Sequence, residues 1–378
     1  MKISIIGAGI TGLSTALALQ KIGIETNVYE KALEIASVGA GIWMQPNAMK
    51  IFDWLGIGTE IRKNGFALER VEICYENLKP VKKTHPSVAA DELGNKIISI
   101  HRARLQTTLM NALVPNRVYL GHAYQSHAKN QDQISIQFAD KMVETDLLLA
   151  ADGIHSKVRL NLFPESQLRY SGQTCWRGIS NISLPNELLH VGREVWGKNI
   201  RFGFSPISLN EVYWFAVANA PQNGKDSPGS SGAFLKKMYS HFHPIIADII
   251  EQTDHILRND ISDLKRLEHW HSGRICLLGD AAHATTPNMG QGGGQGIEDA
   301  FAISRQLATN CHYTEVFEKF ERNRRKKVDY IVNNSWRFGK MAHNIYGQAL
   351  LKGIMKLTPQ SVMIQQMHKL YAVDGLEN

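Results

Sequence analysis

Apolar residues recur along this chain with two different periods, and the points where one gives way to the other mark its elements. Lys2-Ile3-Ser4-Ile5-Ile6 and Asp146-Leu147-Leu148-Leu149-Ala150-Ala151 are near-continuous apolar runs of strand length. Such runs predict strands buried on both faces of a parallel sheet. Arg274-Ile275-Cys276-Leu277-Leu278 has the same character. After the first run a helical pattern spans 13–22, and residues 25–29 form another strand that ends in Glu30. Farther on the period shortens. Tyr170-Ser171-Gly172-Gln173-Thr174-Cys175-Trp176-Arg177-Gly178-Ile179, Glu194-Val195-Trp196, Arg201-Phe202-Gly203-Phe204 and Val212-Tyr213-Trp214-Phe215-Ala216-Val217 alternate polar with aromatic or β-branched residues. They predict an antiparallel sheet with one face buried. Residues 222–232, rich in Gly, Ser and Pro, read as a surface loop. From Thr314 the pattern is helical, and Pro359 breaks it before a last short helix. Within that region the amphipathic run 350–357 is expected to pack on the body, with membrane docking the lesser alternative.

Each long apolar run stops on glycine or aspartate. Gly7-Ala8-Gly9-Ile10-Thr11-Gly12 joins the first strand to the first helix, which is the context a GxGxxG fingerprint requires. Gly7 allows the tight turn, Gly9 lets a pyrophosphate approach the backbone, and Gly12 lets helix and strand pack closely. Glu30, 23 positions after Gly7, is placed to accept hydrogen bonds from an adenosine ribose. The second run delivers Asp152-Gly153 to a turn before a short basic helix, within reach of a pyrophosphate and a visiting nicotinamide dinucleotide. The third delivers Gly279-Asp280-Ala281-Ala282-His283, followed by Gly290-Gln291-Gly292-Gly293-Gly294-Gln295-Gly296 and a resumed helix at Ile297-Glu298-Asp299-Ala300-Phe301. A carboxylate thus lies beside bare amides at a helix N-terminus, where the dipole favours negative charge. The N1–C2=O edge of a reduced flavin carries such a charge.

In order and spacing these three motifs resemble the GxGxxG, DG and GD signatures of the class A flavoprotein aromatic monooxygenases, over nearly the whole chain. Val38-Gly39-Ala40-Gly41-Ile42, Gln45-Pro46-Asn47-Ala48 and His101-Arg102-Ala103 are similar to salicylate-, hydroxybenzoate- and urate-hydroxylase-type enzymes and to zeaxanthin epoxidases. The resemblance implies that Arg102 contacts FAD, that Asp280 holds the ribityl and pyrophosphate region, and that loop 287–293 lies against the isoalloxazine. The expected cofactor contacts are Gly7, Gly9, Ile10, Thr11, Gly12, Glu30, Lys31, Gly41, Arg102, Asp152, Gly153, Gly279, Asp280, Pro287, Gly290, Gly292 and Gly293, with no metal. The fold expected is α/β. A Rossmann-type FAD-binding domain is assembled from 1–70, 98–165 and 268–310, with an inserted antiparallel β-sheet substrate domain (71–97 and 166–267) and a C-terminal helical region (311–378). The implied activity is that of an NAD(P)H-dependent monooxygenase, with O2 adding at the flavin C4a as a hydroperoxide that hydroxylates a small aromatic or heteroaromatic substrate. Epoxidation of an isoprenoid or polyene, or FAD binding without turnover, are the alternatives. A halogenase of similar fold would carry Trp-x-Trp-x-x-Pro, and no two of the seven tryptophans are two apart.

Composition narrows this further. A chain of 378 residues has room for a nucleotide-binding domain and a substrate domain, and no apolar run is long enough to span a membrane. The net charge of +7 and pI near 9.1 suit attraction of anionic NAD(P)H or an acidic substrate, and no motif for nucleic acid accompanies them. Cys74, Cys175, Cys276 and Cys311 lie far apart without a CxxC, which fits a reducing cytoplasm. The apolar start carries one Lys and three interior glycines and reads as a strand rather than a leader.

A substrate pocket must lie between sheet and flavin. Arg201 is the candidate partner for a carboxylate or phenolate, while Tyr213 and Phe215, two apart on one strand face, could sandwich a flat ring. Trp176 and Arg177 are the second candidates. His283 and His155 read as loop-stabilising or solvent-facing, and His269 and His271, at i and i+2, share no helix face for a metal. Arg322, Arg324, Arg325, Lys326 and Lys327 read as a solvated helix face.

Overall fold

The computed structural model describes residues 1–35, 40–82, 95–130, 132–309 and 312–376; Val38, Gly39 and Cys311 of the sequence motifs lie outside them. The apolar runs form the centre of a six-stranded sheet, in the order His271–Ser272, Ile275–Leu277, Leu147–Ala150, Ile3–Ile6, Thr26–Tyr29 and Val118–Tyr119. All neighbours are parallel except the first pair. Ile3 pairs with Leu147 on one side and Thr26 on the other, so the first glycine motif emerges at the same sheet edge as Asp152 and Gly279. Helices Ile10–Lys21 and Gly292–Thr309 run side by side across this sheet. Thr11 lies where a Cβ on Gly296 would collide with its hydroxyl.

The second sheet has the order Leu257–Leu264, Leu168–Ser180, Val212–Asn219, Ile200–Pro206, Val191–Gly197 and Arg70–Cys74. It is antiparallel apart from its last pair. Both faces are covered, where the alternation predicts one. On the outer face Trp214 stacks on Phe202, with centroids 5.4 Å apart, beneath helices Ser231–Met238 and Ile245–Glu251 with their buried Ile246, Ile249 and Ile250. The inner face lies against the three-stranded sheet Gly41–Met44, Ile97–His101 and Phe66–Leu68. Ser205 there accepts from Trp43 Nε1 at 2.7 Å and meets the Ser99 hydroxyl at 2.9 Å. Aromatic residues at both parities of the strands make both faces apolar.

Beyond the parallel sheet, a 30-residue helix, Tyr313–Ala342, crosses from one sheet to the other. Ser335 Oγ donates to the Thr286 carbonyl at 2.6 Å. Near the far end Gln173 Nε2 donates to the Gly339 carbonyl at 3.1 Å, and Lys340 Nζ to that of Ser171 at 2.9 Å. The basic run in this helix splits: Arg322 and Lys326 lie on the solvated face expected, and the other three do not. Arg324 is only 6% exposed, and Lys327 donates to Glu298 Oε1 at 2.7 Å. Arg325 pairs with Glu321. The reason is registry: Arg324, Val328 and Ile331 fall on one side, facing the acidic Glu298 and Asp299 of the neighbouring helix. Helices Ile345–Leu357 and Gln360–Tyr371 follow. Here too the packing differs from expectation, because Leu350, Ile354 and Leu357 point away from the body.

Candidate functional site

The nucleotide end is built from backbone. Gly7 has φ +101° and donates its N–H to the Tyr29 carbonyl at 2.8 Å. A Cβ at Gly7 would lie 2.5 Å from the Ala151 oxygen, and one at Gly12 would collide with the Gly7 carbonyl, so the first motif is pressed onto the strand that carries Asp152. Around Gly9 the opposite holds: a Cβ there would meet nothing within 4 Å. Gly9 begins the Ile10–Lys21 helix with no side-chain cap, which leaves the amides of that first turn facing open space. Ile10 is buried beneath it. Glu30 closes the side: Oε2 accepts from Ala8 N at 2.8 Å and Oε1 from Ala32 N at 3.0 Å, with exposed Lys31 between.

The second motif is a carboxylate used on one side only. Asp152 Oδ2 accepts from Lys157 N at 2.9 Å and Val158 N at 3.3 Å, and its buried Oδ1 has no protein partner. Burial pushes this carboxyl above the usual range, against the hydrogen bonds of Ser156 and of the Val158, Asp152 and Lys157 amides. Gly153 beside it faces open space at φ +81°. Arg159 ties this turn to the third motif, donating to the Ile154 carbonyl at 2.7 Å and the Ala281 carbonyl at 3.1 Å.

At the third motif Gly279 has φ +56°, and a Cβ there would lie 2.6 Å from Thr11 Oγ1. Its N–H donates to Asp299 Oδ2 at 2.8 Å. That same oxygen meets His283 Nε2 at 2.6 Å, while Oδ1 accepts from Arg324 Nε at 2.8 Å. Burial raises the Asp299 carboxyl, but His283 and Arg324 outweigh it and hold the group below the usual range. The adjacent Asp280 goes the other way. It opens to the cleft yet is ringed by protein, and this burial holds it above the usual range while His283 and Arg102 pull it down and Asp299 adds to the rise. Loop residues Pro287 and Gly290 are exposed and Gly292 and Gly293 half-buried along the same cleft, opposite Gly41 and Ile42.

His283 is therefore loop-stabilising rather than solvent-facing. Sequence reasoning assigns no role to Glu298 and Asp299 and places Arg324 on a solvated face. A signal was present: Glu298 and Asp299 are adjacent acids flanked by Ile297, Ala300, Phe301 and Ile303. Two carboxylates in an apolar helix need a buried cation, and the basic run supplies it: Arg324 Nη1 donates to Glu298 Oε2 at 2.6 Å.

The three pocket candidates share the inner sheet face, with different surroundings. Arg201 is 2% exposed and already paired, donating to Glu194 Oε1 at 2.9 Å and Asn288 Oδ1 at 2.7 Å. Only its Nε lacks a protein partner. It therefore joins the sheet to the loop at Pro287. Tyr213 lies directly over Gly41, whose position would not admit a Cβ. Burial pushes the Tyr213 phenol up to about 12, with Arg177 and Arg102 pulling it down and Cys175 adding to the rise. Phe215 covers Gly203. The Tyr213 and Phe215 rings are 6.2 Å apart and tilted 42°, so they form a continuous wall rather than two sides of a sandwich. Arg177 stands beside Cys175 and Tyr213, while Trp176 is on the outer face with its Nε1 on Asp226 at 2.6 Å.

A strand-turn-helix with an uncapped amide end, two further turns presenting carboxylates, and an aromatic wall against the strand of Gly41 together suit a flavin nucleotide. Residues 1–335 match the FAD binding domain family. The chain belongs to that family and is a class A FAD-dependent monooxygenase. It is 36% identical over 344 residues to the aurachin C monooxygenase/isomerase of Stigmatella aurantiaca, covering 90% of this chain and 89% of that one. It is 30% identical to the 2-heptyl-3-hydroxy-4(1H)-quinolone synthase of Pseudomonas aeruginosa, over 90% and 89% of the two chains. Among solved structures, HpxO of Klebsiella pneumoniae complexed with FAD and uric acid superposes with a TM-score of 0.91 at 26% identity, over 100% of this chain and 98% of that one. The monooxygenase reading therefore holds over polyene epoxidation and over FAD binding without turnover. FAD is the cofactor, with NAD(P)H as reductant. Among the described residues no helix is long and apolar enough to cross a membrane.

Proposed function

We propose that this enzyme hydroxylates a small heteroaromatic ring bearing an acidic O–H or N–H, bound between the flavin and the wall of Tyr213 and Phe215. The observation that carries this reading is the placement of Tyr213 over Gly41 with Arg177 and Arg102 close enough to pull its phenol down. Two guanidiniums beside an aromatic wall favour a flat ring in its ionised, electron-rich form. The relatives whose names specify a quinolone and the structure that holds uric acid support the same chemistry.

In the same reading, Gly9, Ile10 and Thr11 offer the first helix turn to the pyrophosphate, with Gly7 and Gly12 giving the turn its shape. Glu30 and Lys31 flank the adenosine. Asp152 and Gly153 supply the free Oδ1 and an open edge. Gly279, Asp280 and Arg102 face the ribityl chain, and Gly41, Pro287, Gly290, Gly292 and Gly293 enclose the ring system. The open space at Gly9 and the partnerless Asp152 Oδ1 both fit such a group. Bound FAD supplies the redox chemistry, taking reducing equivalents from NAD(P)H and activating O2. The protein orients the substrate and excludes water around it.

The test is a panel of 4-quinolones, urate and hydroxybenzoates assayed for acceleration of anaerobic flavin reduction by NAD(P)H, followed by product analysis in air. Acceleration and a hydroxylated product with an N-heteroaromatic support the reading. Turnover with uncharged polyenes alone would overturn it.

A further inference from the structure

Between Asp329 and Asp374 the chain contains no acidic residue, while Arg337, Lys340, Lys352, Lys356 and Lys369 fall in that interval. The last two helices, Ile345–Leu357 and Gln360–Tyr371, lie within it. On the first of them Tyr346, Leu350, Ile354 and Leu357 follow one another at spacings of four, four and three, which places them on one side of the helix. Among the described residues nothing covers that side: Tyr346 is 86% and Leu357 85% exposed, with Leu350 and Ile354 at half or more. Val362 on the next helix is exposed as well. A stripe of this size does not stay in water without a use.

The opposite side is anchored. Asn344 caps the helix, accepting from Tyr346 N at 2.9 Å and Gly347 N at 3.2 Å, and Gln348 Nε2 donates to the Gly197 carbonyl at 2.9 Å. Lys352 and Lys356 lie over the Tyr75 ring, 5.0 and 5.6 Å from its centroid; Lys352, four residues after Gln348, shares the anchored side, while Lys356 is exposed next to Leu357. At the far end Tyr371 Oη donates to Gln45 Oε1 at 3.0 Å, next to the flavin-side loop at Gly290. The helix pair is thus held rigidly against the body, beside the cleft, with its apolar side outward.

We propose that this pair of helices docks the enzyme on an anionic lipid bilayer. A 13-residue helix is about 20 Å long, too short to cross a hydrocarbon core of about 30 Å but suited to lying in the headgroup plane. Tyr346 is the aromatic type that settles at this depth, and the run of bases without acids matches phosphate-bearing headgroups. Docking follows from the surface alone and does not depend on which ring the active site takes.

The experiment is flotation of the full-length, FAD-loaded protein with vesicles of phosphatidylcholine alone or mixed with phosphatidylglycerol. Binding is expected to the mixed vesicles, weakening as salt rises. Leu350→Glu with Leu357→Glu should lower partitioning about tenfold or more, and Lys356→Glu should lower it less, with FAD content and circular dichroism unchanged. Failure to float with mixed vesicles overturns the proposal, as does undiminished binding of the double variant. Sedimentation velocity without lipid tests the other occupant: a dimer that the double variant splits, with no vesicle binding, overturns the proposal and assigns the stripe to a second copy of this chain.

Discussion

The nucleotide cradle and the substrate wall face each other across one cleft, yet they are built from different materials. In the cradle, shape comes from main chain: Gly7 against Ala151, Gly12 against Gly7, and Gly279 and Gly296 against Thr11 leave no room for a single methyl. In the wall, shape comes from side chains, with Arg201 bridging Glu194 and Asn288, Tyr213 covering Gly41 and Phe215 covering Gly203. A cradle of this kind recognises a nucleotide through amides that any sequence possesses, so its tolerance to change is low. A wall of side chains can be re-cut residue by residue, which is where differences in substrate between relatives can arise.

The sharpest way to break this contrast is Asp299→Ala, because the cradle depends on that one side chain. It removes the acceptor for Gly279 N–H and His283 and leaves Arg324 buried with one fewer anion. Loss of about 3–5 kcal/mol is expected, read by chemical denaturation alongside FAD content. A change under about 1 kcal/mol would show that the third motif holds its own shape. Gly9→Ala separates fit from folding. Its Cβ meets no protein atom, so the apoprotein should melt as wild type while FAD binding weakens by about 1.5–3 kcal/mol, seen by fluorescence titration. On the wall, Tyr213→Phe should keep FAD and cost about 1 kcal/mol in substrate affinity, with more peroxide released per NAD(P)H oxidised. Equal coupling in both proteins would remove Tyr213 from the pocket.

The smallest effect concerns pH and compares two neighbouring carboxylates of opposite sign. Asp299 is held below the ordinary carboxylate range in the fold, so its contribution is present at neutral pH and lost as pH falls through its lowered folded value. Asp280 is held above that range, so ionising it costs stability once pH rises past the ordinary value, and the cost is complete above its folded one. Asp280→Asn should therefore stabilise the apoprotein at neutral pH, by an amount that vanishes in acid, while FAD retention falls. Thermal melts of apoprotein across pH check the first half and flavin absorbance the second. Equal melting at every pH would mean that the Asp280 carboxylate is fully solvated in the cleft.

What is legible in the chain follows the same division. The three nucleotide motifs are local, so spacing between glycines and a preceding apolar run suffices to find them. The Asp299–Arg324 pair joins two helices, and no periodicity within either one announces it; only the misplaced acids at 298 and 299 hint at a partner. Alternation along Ile200–Pro206 and Val212–Asn219 predicts the strands, but not that Phe202, Phe204 and Trp214 meet helices while Tyr213 and Phe215 face the other way. Likewise, the amphipathic pattern of 350–357 shows that an apolar side exists, and says nothing of what covers it.

The Tyr313–Ala342 helix has a mechanical meaning. Over about 24 Å it is pinned to the flavin-side helix at Arg324, to the loop before Pro287 at Ser335, and to the substrate sheet at Gly339 and Lys340. A rod fastened at its middle and at its C-terminal end works as a splint between the two halves of the cleft. Hinge-like opening would break several of these bonds at once. A substrate ring must therefore enter through rearrangement of loops and side chains at the cleft mouth, and the traffic of the cycle falls to small parts moving inside a stationary frame.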